Sequence, residues 1–409
     1  MKTREHVFDW LSGQLRFGIK PGLERMNWMI ERLGLEEHPS IHVAGTNGKG
    51  STVAFLREMA IAEGLSVGTF TSPYIVQFEE RIMLNGEPIP EEALVDVANR
   101  VKALADVAPE TLTEFELLTM MAWCYFDDVR PDIILWEVGL GGRLDSTNVV
   151  KQPLATIVTS IGHDHQGILG DTLEEIAMEK YGIMKYDVPV FHRVGEGQLI
   201  DLLSQKGRDM RAPIHDVHPL VKHIESGTET LVTYEGMQPV VLGLTGHHQA
   251  YNGACAVAVA RHLGWREEAI RSGLERARHP GRYELVSKRP RVILDGAHNP
   301  EGIDALVVQA RQERDVTVLT AILADKDRDT MIHALQKIGD VYETTFDFPR
   351  ARTKEQLERD GARFVEWIEW LNDWMETPTS ETLIVTGSLY FISEVRRFFD
   401  ENIYLMSKK

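Results

Sequence analysis

The 409-residue chain holds only two cysteines, Cys124 and Cys255, each inside an apolar, helix-like stretch. That is too few thiols, in the wrong setting, for a disulfide framework or a zinc site. Two buried packing thiols in a reducing compartment are expected. No run reaches the roughly 18 apolar residues that a membrane span requires. The opening "MKTREHVFDWLSGQLRFG" is charged and amphipathic and lacks the apolar core of a signal peptide. Positive charge is also scarce: 44 Lys and Arg face 62 Asp and Glu, a net charge of -18. This balance argues against nucleic-acid or membrane partners. A phosphate ligand stays open to it, because that needs only a local patch of amides and cations. The expectation is a soluble, cytoplasmic protein.

What is present is alternation. "SIHVAG" (40–45), "SVGTFTS" (66–72), "DIILWEVG" (132–139) and "ATIVTSIG" (155–162) read as strands of the continuous apolar kind found in parallel sheets. Helical patterns separate them. One runs from Lys49 to Leu65, others are "EEALVDVANRVKALA" and "EFELLTMMAWCYF", and "DTLEEIAMEKYGIMK" opens on Asp171 as a cap. "HHQAYNGACAVAVARHLG" closes on Gly264. The basic, weakly patterned run 278–291 marks a change of unit. Beyond it the alternation restarts with "VILDGAHNP", "VTVLTAI", "VYETTF", a long helix and "TLIVTGS". Two doubly wound α/β units are predicted. In the long helix, Trp367, Trp370 and Trp374 share one face, which reads as packing onto the C-terminal sheet or as an aromatic shelf.

"GTNGKGST" follows a strand and opens a helix. Backbone N–H groups at such a junction point outward, and the helix dipole favours an anion there. Gly45, Gly48 and Gly50 allow a tight turn close to phosphate oxygens. Lys49 can reach the terminal phosphates, and Ser51 or Thr52 can meet a magnesium ion. The spacing departs from G-x4-G-K-S/T, because Val43 takes the first glycine's place and Gly50 precedes Ser51. Phosphoryl transfer needs a metal to offset charge on the moving group. Ser72, which ends a strand, Glu137, directly before a glycine turn, and His165, just after another strand, are candidate ligands. For each of the last two a structural role is the alternative. Magnesium prefers oxygen, so a histidine ligand is unusual. Arg81 and Arg282 could each hold a phosphate bidentately, or be solvated surface groups.

Together these words resemble the folylpolyglutamate synthase and dihydrofolate synthase branch of the Mur ligase superfamily. The resemblance rests on "HVAGTNGKGST", "TSPYIVQFEERI", "EVGLGGRLDSTN", "SIGHDHQGILGDTLEEIAMEKYGI", "GHHQAYNGACA", "PGRYE", "LDGAHNPEG", "DKD" and "VTGSLYFISEVR", nine motifs in order over nearly the whole chain. It implies an α/β fold: a P-loop ATPase domain with a parallel sheet over 1–284, and a smaller Rossmann-like domain over 285–409. It implies ATP and Mg2+ as cofactors. Gly45, Thr46, Asn47, Gly48, Lys49, Gly50 and Ser51 would form the phosphate loop, and Ser72, Glu137, His165 and Ser51 would face the metal. Gln249 and Asn252 would lie at the adenine end. Arg282 would hold phosphate and Asp295 the ribose from across the cleft, with His298 in the same cleft-facing motif. Lys180 matches a lysine that the family commonly carbamylates, a reaction that requires a depressed amine pKa. Tyr74 stands where many relatives have histidine. With Arg81 it falls on the substrate side. His163 and Tyr181 are further departures.

The implied reaction has two steps. ATP phosphorylates a carboxylate of dihydropteroate or a reduced folate, and the amine of L-glutamate then displaces phosphate to form an amide. Lys49, Lys180 and His298 are the catalytic candidates. The resemblance also implies a monomer. A bifunctional dihydrofolate and folylpolyglutamate synthase is favoured over a monofunctional folylpolyglutamate synthase. A cell-wall-precursor ligase would need an additional N-terminal domain ahead of Gly45. A nucleotide-gated switch would hydrolyse ATP slowly, without regard to glutamate or folate.

Overall fold

The structure is a computed structural model describing residues 1–14, 22–195, 197–377 and 379–406. An eight-stranded sheet contains β1 (Ser40–Ala44), β2 (Val67–Phe70), β3 (Ile82–Leu84), β4 (Glu87–Pro88), β5 (Ile133–Glu137), β6 (Ala155–Val158), β7 (Val190–His192) and β8 (Ile214–Asp216). Its order is β4-β3-β2-β5-β1-β6-β7-β8. The run from β2 to β8 is parallel, whereas β3 and β4 add an antiparallel edge. A three-stranded antiparallel sheet follows, of β9 (Val221–Ser226), β10 (Thr230–Tyr234) and β11 (Val240–Val241). The third sheet has β12 (Glu284–Lys288), β13 (Arg291–Leu294), β14 (Val316–Thr320), β15 (Gly339–Glu343) and β16 (Thr382–Thr386), in the order β12-β13-β16-β14-β15. Its β12 is an antiparallel edge and the rest are parallel.

The central strands β1, β5 and β6 are buried throughout because helices cover both faces of the sheet. On one face the Lys49–Glu63 and His247–His262 helices bury Phe55, Leu56 and Met59 with Ala254 and Val257. On the other, the Glu91–Ala105 and Glu114–Val129 helices bury Met120, Met121 and Phe126 with Phe70 and Trp136. Each Val, Leu, Met or Phe side chain among them, taken wholly from water, contributes about 1.5–3 kcal/mol. Trp136 is fully buried one residue before Glu137 and stacks on Trp123 at 5.5 Å, which fixes the end of β5. Both cysteines are buried, and burial pushes each thiol up to about 12. Among the described residues no helix is long and apolar enough to cross a membrane.

Three local expectations are corrected. The helix after "GILGD" is capped by Thr172, not Asp171. Thr172 Oγ1 accepts from Glu175 N while the Glu175 carboxylate takes Thr172 N–H, a complete capping box, and the helix closes at Lys180. The long helix after β15 is two helices, Lys354–Arg359 and Trp367–Glu376. Gly361, at φ 74, turns the chain between them, and Phe364 bridges back to Glu343. The all-parallel reading misses the hairpin edges, where short strands alternate too briefly to register. Trp367, Trp370 and Trp374 pack against the C-terminal core, with Trp370 5.2 Å from Tyr342 and Trp367 edge-on to Phe391.

Candidate active site

The "GTNGKGST" loop leaves β1 and enters the Lys49–Glu63 helix. Gly48 caps that helix at φ 94, where a Cβ would lie 2.3 Å from Asn252 Oδ1. Glycine is required there by both backbone and space. At Gly50 a Cβ would sit 2.4 Å from His279 Nε2. The loop is braced by the segment after β6: Thr46 N–H donates to Ser160 O at 2.7 Å, and Asn47 N–H to Ser160 Oγ at 2.9 Å. Thr159 Oγ1 donates back to Asn47 O at 2.8 Å. Lys49 Nζ donates to Gly45 O and Thr46 O at 3.0 and 3.3 Å. Ser51 is buried in the first helical turn. Asn252, which stands against Gly48, donates to Gln249 Oε1 at 2.9 Å, and Gln249 and Asn252 are 1% and 0% exposed. In this arrangement neither has surface open to a ligand.

Around the loop, charge gathers at strand ends. Glu137 closes β5 and accepts from Ser72 N–H at 3.3 Å. Burial raises its carboxyl, opposed by Lys49, Arg282 and Arg81, so these cations share its surroundings. His165 sits in left-handed backbone at φ 53. Burial holds its ring down at about 4, with Lys326, His298 and Lys49 adding to the effect against Asp164, so it is neutral at pH 7. Lys180 is 4% exposed and makes no hydrogen bond or ion pair among the described residues. Burial first, then Lys49, bring its amine down to about 7. Arg81 lies over the Tyr74 ring at 5.3 Å and the Phe78 ring at 5.8 Å, forming an aromatic wall beside Ser72.

The junction at 281–284 and the C-terminal unit supply the opposite wall. Asp295, just past β13, accepts from Tyr283 N–H and Ala297 N–H, both at 2.9 Å. His298 Nδ1 donates to Gly296 O at 2.8 Å, which leaves Nε2 toward Asp164 Oδ2 at 3.7 Å. The Arg282 guanidinium has no ion pair or hydrogen bond among the described residues, although Glu137, Asp295 and His248 feel its charge. Thus Lys49, Ser72, Glu137, His165, Lys180, Arg282, Asp295 and His298 are linked by hydrogen bonding or mutual charge into one neighbourhood, with Asn252 packed against Gly48 of the loop.

The sequence reading missed the residues that tie the walls together. Asp164 binds Lys326 Nζ at 2.5 Å, with both side chains under a tenth exposed. Burial alone would raise the Asp164 carboxyl, but His298, His165 and Lys326 outweigh it and hold it well below the usual carboxylate range. Asn47 of the loop and Asn299 of the C-terminal unit exchange side-chain hydrogen bonds at 3.1 and 3.2 Å. The only available signal was position: Asp164 lies inside "GHDHQG" and Lys326 inside "DKD", both quoted motifs without an assigned role.

A phosphate-type loop and a second α/β unit facing each other across a cationic cleft define an ATP-dependent ligase of the Mur type. A family model described as "Mur ligase, glutamate ligase domain" matches residues 281–388. A Bacillus subtilis relative called dihydrofolate synthase/folylpolyglutamate synthase is 40% identical, over 95% of this chain and 97% of its own. A Lacticaseibacillus casei folylpolyglutamate synthase is 33% identical over 87% and 89%. The solved structure described as E. coli FolC in complex with ADP, without folate substrate, superposes with a TM-score of 0.86 at 31% identity, covering 97% of this chain and 98% of that one. The chain belongs to the dihydrofolate synthase/folylpolyglutamate synthase family.

Proposed function

We propose that this chain uses ATP to join the amine of L-glutamate to the carboxylate of dihydropteroate or of a reduced folate, through an acyl phosphate. The observation carrying this reading is a pair of cations beside the buried Glu137 carboxylate: Lys49, held only by the loop carbonyls of Gly45 and Thr46, and Arg282, whose guanidinium has no ion pair or hydrogen bond among the described residues. In water such cations gain little. In a closed, low-dielectric cleft they would offset charge developing on a transferring phosphoryl group. Two walls meeting over the phosphates also keep water from an acyl phosphate. The N-terminal unit, 1–284, would seat the triphosphate and the C-terminal unit, 285–409, would close on it. Gly45 to Ser51 would cradle phosphate, Asp295 would meet the ribose, and His298 would orient Asp164. Gln249 and Asn252 would act through the loop they support. Tyr74 and Arg81 would face the folate or pteroate.

Glu137 fits a divalent cation: it is a buried carboxylate whose hydrogen bond among the described residues is one amide at 3.3 Å. Ser72 and Ser51 would add oxygens and His165 a neutral nitrogen. Mg2+ there would neutralise charge on the terminal phosphates. Among the described residues no three His, Cys, Asp or Glu side chains are grouped to bind a metal, so such an ion would depend on hydroxyls and phosphate as well. Lys180, a buried and unpartnered amine, fits carbamylation, whose anion would answer the Lys49 charge.

The 40% identity to a relative named for both activities favours the bifunctional assignment. The test is ATP-dependent incorporation of glutamate, assayed separately with dihydropteroate and with tetrahydrofolate. Product from both is expected, and product from tetrahydrofolate alone makes the enzyme monofunctional. Lys49→Ala should abolish both. Near-normal ligation by that variant would remove the loop from the reaction.

A further inference from the structure

Arg193 follows β7 directly, at the carboxyl end of the parallel sheet, and its backbone N–H is tied to Val158 O at 3.2 Å. Its Nε is buried without a partner. No ion pair or hydrogen bond engages the guanidinium anywhere among the described residues. Arg193 as a whole is half-buried, but shielding its Nε donor from water without a partner is costly, so an arginine kept in this state is poised for something the protein alone does not supply. Its neighbours locate it. Burial lowers its pKa, and the groups within its electrostatic range are the Cys255 thiol and Tyr251 hydroxyl on the His247–His262 helix and the Glu301 carboxylate of the C-terminal unit. His248 lies within range of both Arg193 and Arg282. Glu301 is linked in turn to Asn47 of the phosphate loop and would block any Cβ at Gly162. Arg193 therefore faces the same cleft as the loop, but from its far end.

Sheet order sets the distance. The phosphate loop leaves β1, and β7 is two strands away through β6. Neighbouring strands are spaced by roughly 4.8 Å, so Arg193 starts about 10 Å to the side of the loop. A triphosphate held at Lys49 and Arg282 would carry its nucleoside toward that side. We propose that Arg193 is a specificity-determining residue for the nucleoside end of ATP, donating to ribose or purine acceptors and stacking its plane on the base beside Tyr251. This rests on the nucleotide-site reading above.

The test uses the full chain with Arg193→Gln and Arg193→Ala. Thermal unfolding is followed with and without ADP, ATP kinetics are measured at saturating glutamate and tetrahydrofolate, and inorganic tripolyphosphate is the competing probe. KM for ATP should rise about tenfold, the effect of losing one charge-assisted contact, with kcat within twofold. The ADP-induced rise in Tm should shrink by at least half. The ligand-free Tm should hold or rise, because a half-buried cation with an unpaired, buried Nε has been removed. Inhibition by tripolyphosphate should be unchanged. A lower ligand-free Tm with an intact ADP shift in both variants would overturn the inference and make Arg193 structural. Equal losses for ATP and tripolyphosphate would overturn its placement at the nucleoside. Absence of an ADP shift in the unaltered protein would instead sink the nucleotide-site reading, and the inference with it.

Discussion

Replacing Asp164 by asparagine keeps the side chain's size and removes its charge. The consequence falls on Lys326, whose ammonium lies 2.5 Å from Asp164 Oδ1 with 9% of its side chain exposed. Left without its partner, a cation so placed must either stay buried and uncompensated or pull the two units apart. Removing one member of a buried pair costs about 3–5 kcal/mol. Even the lower figure is on the order of a hundredfold in the equilibrium between the joined and separated arrangements. His298 and Asn299 also lose their anchor, at 3.7 and 3.5 Å.

The assay is glutamate-dependent ADP release, read as kcat/KM, together with thermal unfolding. Asp164→Asn should lose on the order of a hundredfold in kcat/KM, in keeping with that cost. A second substitution, Lys326→Met, removes the stranded charge, so the double variant should be more stable than Asp164→Asn alone. The pair's contribution also has a definite pH sign. The folded carboxyl lies below its unfolded value near 3.8, so the stabilisation is complete above that pH and fades as pH falls below it. Additive single effects, with coupling under about 0.5 kcal/mol, would refute the claim that this pair clamps the units.

Lys180 gives a second prediction. Its amine, brought down to about 7, is roughly a tenth neutral at pH 6 and about nine tenths neutral at pH 8. CO2-depleted enzyme should therefore recover activity on adding bicarbonate far more completely at pH 8, and Lys180→Met should not recover at either pH. Full activity without CO2 would exclude carbamylation from the reaction. In that depleted form stability should climb with pH from about 7 toward 10.5, because the unfolded chain holds a proton the folded chain does not. The slope from this one group is about 1.4 kcal/mol per pH unit, checked by denaturant unfolding across that range. Gly48→Ala should fold yet lose nucleotide binding by more than about tenfold, since a left-handed alanine costs about 1–2 kcal/mol before it meets Asn252. Calorimetric titration with ADP checks this, and unaltered affinity would show that the loop has slack.

The strands were legible because burial on both faces favours short apolar runs such as "IILWE"; in "SIHVA" the polar Ser40 and His42 are buried as well, and the run reads as a strand by its length and the glycine turn that follows. The tight strand-to-helix loop was legible because three glycines and a lysine between strand and helix satisfy a local geometric demand, which Gly48 meets at φ 94. The hairpin edge of β3 and β4 was not, since two or three residues hold too little pattern. The cap at Thr172 turned on whether a side chain reaches three residues ahead or four, which local composition does not decide. Asp164 and Lys326 were illegible for a different reason. They are 162 residues apart, and nothing in either neighbourhood requires the other.

That distinction separates two kinds of charge in the cleft. Asp164, Lys326 and Asn299 are satisfied by partners within the chain, so their chemistry is already spent on holding two units at a fixed separation. Arg193, Arg282 and Lys180 are not satisfied by the chain, and Glu137 accepts one amide hydrogen bond at 3.3 Å. A folded chain gains nothing from burying such groups, since each carries a desolvation cost with no return in the free protein. That cost is offset when a nucleotide enters, so the stabilisation appears as binding and not as folding. The same residues should therefore divide under mutation: changes at the satisfied set lower stability first and activity through it, and changes at the unsatisfied set lower activity while leaving the ligand-free protein as stable as before or more so.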